Sequence, residues 1–536
     1  MSIGQTVEPI SAGSNTGEAE VTTSVRDHVR AAWWLPVFAV VATAALFLVV
    51  KDSLTDDAYI TLAYAKNLAV HGEWGLIAGE HANSATSPLN ILLLALATLL
   101  TRIFGDAHPV IALGLVTVAA GAVIGWAWMR LVAALRLPSF AGVLGIAVVL
   151  LNPFVLSAIG LEVLLIPAAL ILLTVFAVEG RPVWFGAIAG LAVMIRLDLV
   201  VFVLILAFSS AAIRRKLVKA VLAAVAVAGP WYLFSWIAFG SAVPDTLVIK
   251  QLQGGLFGEW SFFTGPVMYF TGRKIVTAVA FAPALAGLFV LVSWFLVRFA
   301  VRWEKLEGGR GGLKEMAKIG PLAALGAGGV VYYGVYTLMG VGPYHWYFVA
   351  PIVSLSMSGV AILAFWLARS REQERLESRP PALALGLVGL ALLGNIAVVA
   401  KPGVPWESPL IFGNWASAPD YARVGKALGE RLDGATVSSP GEIGTLAYYC
   451  ECKIVDEFSD RGRVVDKVEK RIAEANPITS FALRVNYLFF DRSIKPEPIQ
   501  YELKYASGPA VGPDSWTVHS AAKGVGHFSL VPAARP

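Results

Sequence analysis

The strongest constraint on this chain is a succession of apolar runs between residues 33 and 400, separated by short segments that hold most of the charge. About 18–20 apolar residues are what a helix needs to cross the hydrocarbon core of a bilayer. Backbone N–H and C=O groups find no water there, so these runs must be helical. Composition agrees: 57% of the chain is hydrophobic and 15% charged, against about 25% charged in ordinary soluble domains. A purely soluble fold is excluded. The net charge of +5 does not imply nucleic acid, because the Lys and Arg residues cluster between apolar runs, where they face anionic lipid.

Charge also sets the expected topology. Residues 1–30 read as a disordered cytoplasmic tail, polar and rich in Ser, Thr, Gly and Glu. The long polar lead argues against a removed signal peptide. Arg26 and Arg30 precede the run from Trp33 to Val50 and place the N-terminus inside. The run from Pro88 to Leu100 is short for a span. If it crossed, the basic clusters at Arg130/Arg136, Arg214/Arg215/Lys216, Arg298 to Lys318 and Arg369 to Arg379 would all lie outside. It is therefore expected to lie along the outer surface as an interfacial helix within 51–107. Further spans are expected near 108–129, 139–156, 162–178, 183–196, 198–213, 217–238, 276–298, 320–340, 346–367 and 381–400. The total is about eleven, an odd number that puts the two termini on opposite sides. Residues 183–213 are read as a hairpin turning near Arg196–Asp198.

From residue 401 polar residues and turn signals such as Pro402-Gly403 and Asp433-Gly434 take over. Residues 401–536 read as a soluble extracytoplasmic α/β domain, with helices at Tyr421–Leu432 and Glu442–Tyr449. Strands are expected at Ala435–Ser438, Lys453–Val455, Tyr487–Phe490 and His527–Val531. The fold class is thus mainly α: a polytopic membrane region, 31–400, followed by a small α/β domain. Cys450 and Cys452 are too few for a disulfide framework and fit no common zinc spacing. They are either two incidental thiols or one bridge. Gly308–Gly312 is no phosphate loop, since the Gly-Lys-Ser/Thr ending is missing.

The chemistry-bearing stretch follows the first span: Thr55-Asp56-Asp57-Ala58-Tyr59-Ile60-Thr61, then Tyr64-Ala65-Lys66-Asn67-Leu68. Thr55 reads as an N-cap, and two aspartates in a first turn complement the helix dipole. A carboxylate held at the membrane–water boundary can also act as a general base. Both readings stand at this point.

The order Asp-Asp-Ala-Tyr-Ile-Thr, Tyr-Ala-Lys-Asn-Leu-Ala and Thr86-Ser87-Pro88-Leu89 resembles the opening of the GT-C glycosyltransferases. It is most similar to the mycobacterial arabinofuranosyltransferase branch that includes AftB. Other segments resemble the family too: Gly160-Leu161-Glu162; Arg196-Leu197-Asp198, without the family's Pro and Gly; Phe239-Gly240 with Pro244-Asp245-Thr246 and Lys250; His345-Trp346-Tyr347; and Glu442-Ile443-Gly444 with Tyr448-Tyr449. The resemblance implies a bacterial plasma-membrane enzyme. It would move a sugar, arabinofuranose or mannose favoured, from a polyprenyl-phosphate donor to an extracytoplasmic glycan, lipid or protein acceptor, with inversion.

The same resemblance implies Asp56 or Asp57 as the base, with Asp56 favoured because relatives keep an acid there. It implies Glu162, Arg196, Asp198, Lys250, His345 and Tyr347 as residues that bind substrate or the donor phosphate. Each has a plainer reading: an ion pair for Arg196 and Asp198, a helix cap for Glu162, a solvated charge for Lys250, an interfacial aromatic belt for His345 and Tyr347. No cofactor is required, since the phosphate leaving group departs readily at neutral pH, but a divalent metal bridging Asp57 and Glu162 is left open. The rival classes are a transporter or flippase, which usually shows paired repeats, and a non-catalytic polysaccharide-assembly protein.

Overall fold

A computed structural model describes residues 32–252, 257–304, 318–372 and 379–534. The expected tail over 1–30 and the Gly308–Gly312 segment lie outside the described residues. Helices form where the apolar runs fall: α1 Trp34–Val50, α2 Asp56–His71, α3 Pro88–Thr101, α4 Pro109–Leu135, α5 Phe140–Leu150, α6 Leu165–Glu179, α7 Pro182–Ile195, α8 Val200–Ser209, α9 Leu217–Ala238, α10 Thr246–Leu252, α11 Gly265–Gly272, α12 Lys274–Glu304, α13 Gly320–Leu338, α14 Val349–Glu372 and α15 Arg379–Ala400. Proline stands in the first turn of α3, α4, α7, α11 and α13. There its missing N–H costs no helical hydrogen bond and its fixed φ suits the turn. Each of the eleven expected spans falls on a helix. Among the described residues seven helices are long and apolar enough to cross a membrane, and α1, α3, α5, α7 and the α8 segment are apolar but shorter.

The Pro88–Leu100 run forms one short helix, α3, among the shorter apolar helices. It has 14 residues, about 21 Å at 1.5 Å per residue. Its flanks are tied to neighbouring elements: Ser84 accepts from the Thr246 hydroxyl at the start of α10, and Arg102 donates to the Ala69 carbonyl of α2. The hairpin break occurs where it was expected. Arg196 is extended between α7 and a 3-10 turn leading into α8.

After α15 the chain crosses the bundle end. The Trp406 backbone N–H donates to Val49 and its indole to Val399, which ties the ends of α1 and α15 together. Then follow α16 Ala418–Leu432, β1 Val437–Ser438, α17 Gly444–Cys450, β2 Ile454–Val455, α18 Arg461–Glu474, α19 Pro477–Asn486, β3 Tyr501–Ser507, β4 Ser515–Ser520 and β5 Gly524–Pro532. The sheet order is β2-β1-β3-β5-β4. β1 is parallel to β2 and β3, and β5 is antiparallel to β3 and β4. Its core is Leu503, Val518 and Phe528, buried with Tyr421, Val424 and Leu428 of α16.

Two expectations need correction here, and one left open is decided. Tyr487–Phe490 is not a strand: Asn476 caps α19 by accepting from the Thr479 N–H, and the chain turns at Tyr487. β3 and β4 were not anticipated, although Tyr501, Leu503 and Tyr505 alternate with Glu502 and Lys504 as a half-buried strand requires. Cys450 and Cys452 form a disulfide.

Candidate functional site

The site is built where α2 begins, at the bundle end that carries the sheet. Thr55 occupies the N-cap position with an extended backbone. Its hydroxyl does not cap the helix but donates to Asn414 Oδ1 at 3.0 Å. The two aspartates that follow meet different surroundings.

Asp56 is buried. Its Oδ2 accepts from the Gly444 N–H at 2.9 Å and its Oδ1 from the Thr445 N–H at 2.8 Å. The carboxylate therefore satisfies the free N–H groups that open α17. Gly444 is required for this approach, because a Cβ there would stand 2.0 Å from the Asp56 carbonyl oxygen. Burial raises the Asp56 pKa, and the two N–H groups oppose that rise.

Asp57 keeps partial accessibility and its carboxylate is not claimed by α17. Burial pushes it up to about 6; the Lys250 cation works against the rise, while Asp56 and Glu162 add to it. Glu162 reaches this neighbourhood because the turn before it closes on α2. Gly160 has φ +106°, and a Cβ there would lie 2.4 Å from the Ala58 Cβ.

Arg196 sits in the break between α7 and α8 and is wrapped by acceptors. Its Nη1 donates to Glu162 at 2.7 Å. Its Nη2 donates to Asp198 at 2.7 Å and to the Tyr336 hydroxyl at 2.8 Å. Its Nε lies 3.1 Å from Asp198 Oδ2. Asp198 also accepts from the hydroxyls of Tyr332, at 3.2 Å, and Tyr336. The guanidinium lies 5.0 Å from the Tyr347 ring centre. Two carboxylates thus share one guanidinium, and the expected ion pair of Arg196 and Asp198 is part of a larger network.

Lys250 is held differently. Its Nζ donates to the Tyr347 hydroxyl at 3.1 Å and stands 4.8 Å from the Tyr344 ring and 5.5 Å from that of Tyr347. Burial disfavours its charge, yet Tyr347 and Asp57 hold its pKa above the usual lysine value. Aromatic faces and one hydroxyl leave this ammonium with donors to spare.

The sequence-derived residues Asp57, Glu162, Arg196, Asp198, Lys250 and Tyr347 are thus brought together. His345 is not: its Nε2 lies 3.4 Å from the Ser157 carbonyl and its ring packs edge-on to Phe154. Two tyrosines were missed. Tyr332 and Tyr336 stack at 4.5 Å, and their i, i+4 spacing on an apolar helix was the available signal. Glu442 lies behind Asp56, accepting from the Trp415 N–H at 3.0 Å and from the Tyr421 hydroxyl. Burial pushes it up to about 8, with Asp56 the next contributor. Among the described residues no three His, Cys, Asp or Glu side chains converge on one point suited to a metal ion.

Such a cluster can do two things. A carboxylate with a pKa near neutrality can take a proton from a hydroxyl. A partly sheltered ammonium can hold a phosphate as a point charge. No protein-family description matches the sequence, and no curated protein matches it. Among solved structures, the chain is similar to ArnT from Cupriavidus metallidurans in the apo state. The TM-score is 0.50 at 13% identity, over 92% of this chain and 97% of that one. AglB from Archaeoglobus fulgidus, an archaeal oligosaccharyltransferase in complex with an inhibitory peptide and a dolichol-phosphate, gives 0.48 at 13% identity, over 88% and 69%. The arabinofuranosyltransferase AftD from Mycobacteria gives 0.47 at 13% identity, over 92% of this chain but 40% of that one. The first likeness is one of fold. This chain has a GT-C-like architecture, a multi-pass helical membrane bundle with a small C-terminal α/β layer.

Proposed function

We propose that this chain is an integral-membrane glycosyltransferase that takes a sugar from a polyprenyl-phosphate carrier and gives it to an extracytoplasmic acceptor. The observation that carries the reading is the pairing of Asp57, a carboxylate near neutral pKa, with Lys250, an ammonium not matched by its own carboxylate contact. The order of motifs from Asp56 to Tyr449 supports the donor class, and the GT-C-like architecture supports the reaction type.

Asp57 accepts the proton as the acceptor oxygen attacks the anomeric carbon. The bond from that carbon to the phosphate oxygen breaks, and its electron pair leaves with the lipid phosphate. Lys250, with the Tyr347 hydroxyl, offsets the charge that grows there. A single displacement of this kind inverts the anomeric centre. Asp56 holds α17, and Arg196 with Glu162, Asp198 and Tyr336 forms the wall that keeps Tyr347 in place. Arabinofuranose or mannose is the sugar the resemblance favours, and a cell-envelope glycan, lipid or protein the acceptor. The α/β layer then faces the extracytoplasmic side of a bacterial plasma membrane, with residues 31–400 and 401–536 as its two parts. No metal is assigned to the step.

The test is transfer from a synthetic polyprenyl-phosphate sugar by the purified protein. Asp57→Asn keeps size and cannot take the proton. It is expected to fold, to bind donor and to lose roughly 10²–10⁴ in rate. Asp56→Asn is expected to lower Tm first, since it weakens the hold on α17. Wild-type activity is expected to fall as pH drops through about 6, where Asp57 becomes protonated. Transfer by Asp57→Asn near the wild-type rate removes the assignment. Lipid-linked sugar crossing proteoliposomes without transfer establishes the flippase class instead.

A further inference from the structure

Helix α19 has no buried residue. Ile478 is 84% and Phe481 69% exposed, and Val485 continues the same face at i, i+3, i+7 spacing. The chain then runs into exposed Leu488 and Phe489. The other face is accounted for: Leu483 packs against the cluster of Val464, Val468 and Ile472 from α18. A helix that packs Leu483 inward and still turns Ile478, Phe481 and Val485 outward presents an apolar face that water does not suit.

Its neighbour explains the exposure. α9 is a candidate span whose buried residues are Ala220 and Ser235, so most of its circumference is open to lipid. Near its end, Leu233, Phe234 and Ile237 are exposed. Trp236 joins the two helices there. Its indole N–H donates to the Val485 carbonyl at 3.0 Å, and its ring meets Phe489 edge-on at 5.1 Å. The open apolar surface of the span therefore continues onto α19 without a polar gap. A tryptophan at this level is typical of the membrane–water boundary, and the exposed Arg484 can reach headgroup phosphates from the edge of the stripe.

The geometry points to α19 as an interfacial helix, its Ile478–Phe481–Val485 face seated in the bilayer at the boundary of headgroups and acyl chains beside the end of α9. Lipid is the occupant because the face is continuous with a span that lipid must cover. The consequence reaches the site. Val248 and Ile249 of α10, the helix that presents Lys250, pack in one cluster with Val464 and Val468 of α18 and with Tyr487 and Phe490 just after α19. The helix that carries Lys250 is thus packed against the same cluster as the end of α19. The seating does not depend on which reaction the site performs.

The test places a nitroxide at Phe481→Cys in the full-length protein in phosphatidylglycerol-containing nanodiscs, with Glu474→Cys on the exposed part of α18 as reference. The native cysteines are bridged and do not take the label. At Phe481 collisions with oxygen are expected to exceed those with a water-soluble nickel chelate, and at Glu474 the order is expected to reverse. Nickel access at Phe481 equal to that at Glu474 overturns the proposal. So does shielding from both reagents that is lifted when the protein is diluted in lipid, which assigns the face to a second copy of the chain.

Discussion

Glu162 and Glu179 bracket the same span, α6, and the two ends of that span are built on opposite principles. At the Glu179 end one carboxylate meets two cations: Arg130 at 2.6 Å and Arg181 at 3.1 Å. The carboxylate is satisfied locally, and the surplus cation, Arg181, is half exposed to water. At the Glu162 end two carboxylates share Arg196. Asp56, Asp57 and Glu442 stand close enough to disturb one another's protonation, and Lys250 is the nearby cation. One end closes a helix pair; the other concentrates unbalanced charge in a sheltered place. That imbalance, more than burial or the number of ion pairs, marks the second end as the one with chemistry to do.

The contrast can be broken by mutation. The largest effect is expected from Arg196→Ala. It leaves Glu162 and Asp198 facing each other without their cation, and breaking such a buried pair costs about 3–5 kcal/mol. Chemical denaturation in detergent measures it, and Glu162→Gln in the same chain is expected to recover part of the loss. Next is Lys250→Met. It should leave Tm near wild type while lowering turnover by about 10²–10³. It should also move the acid limb of the rate profile above pH 6, because Lys250 holds the Asp57 pKa down. An unchanged limb separates the two groups.

Glu442→Gln tests the quieter side of the same cluster. The folded protein holds the Glu442 proton up to about pH 8, against 4.5 for the ordinary group. The folded state therefore binds more protons than the unfolded one across that window, and stability falls as pH rises through it. The amide variant should flatten that slope in Tm measured from pH 5 to 8.5. Smallest is Arg130→Ala at the other end. Arg181 still faces Glu179 there, and the loss should stay below about 1 kcal/mol. A loss as large as that at Arg196 would erase the distinction between the two ends.

Much of this was legible in the sequence, for identifiable reasons. Spans are read from hydropathy because bilayers leave the backbone no alternative, and the Pro88–Thr101 helix was assigned by the cost of inverting four basic clusters. Arg196 and Lys250 were singled out by the motif order of the resemblance, since each alone also reads as an ion pair or a solvated charge. What could not be read was pairing between distant segments. The favoured base on resemblance was Asp56, yet its carboxylate is bound by Gly444 and Thr445, and nothing in the local pattern says so. Tyr332 and Tyr336 lie on an apolar helix, and only the distant Asp198 against their hydroxyls makes them part of the site. In the α/β layer, the residues Tyr487–Phe490 had strand composition but belong to the turn that ends α19.

The bond from Asp56 to the Gly444 N–H joins residues 388 positions apart. A ribosome adding about 5–20 residues per second needs roughly 20–80 s to make the intervening chain. For that interval every span can be inserted and packed while the centre around Asp56 and Asp57 stays unfinished. Asp56 is thus without its Gly444 and Thr445 partners until that far stretch has been made and has folded back onto the beginning of the chain. A chain ended before Gly444 would keep the bundle helices and lack the contact that joins α2 to α17.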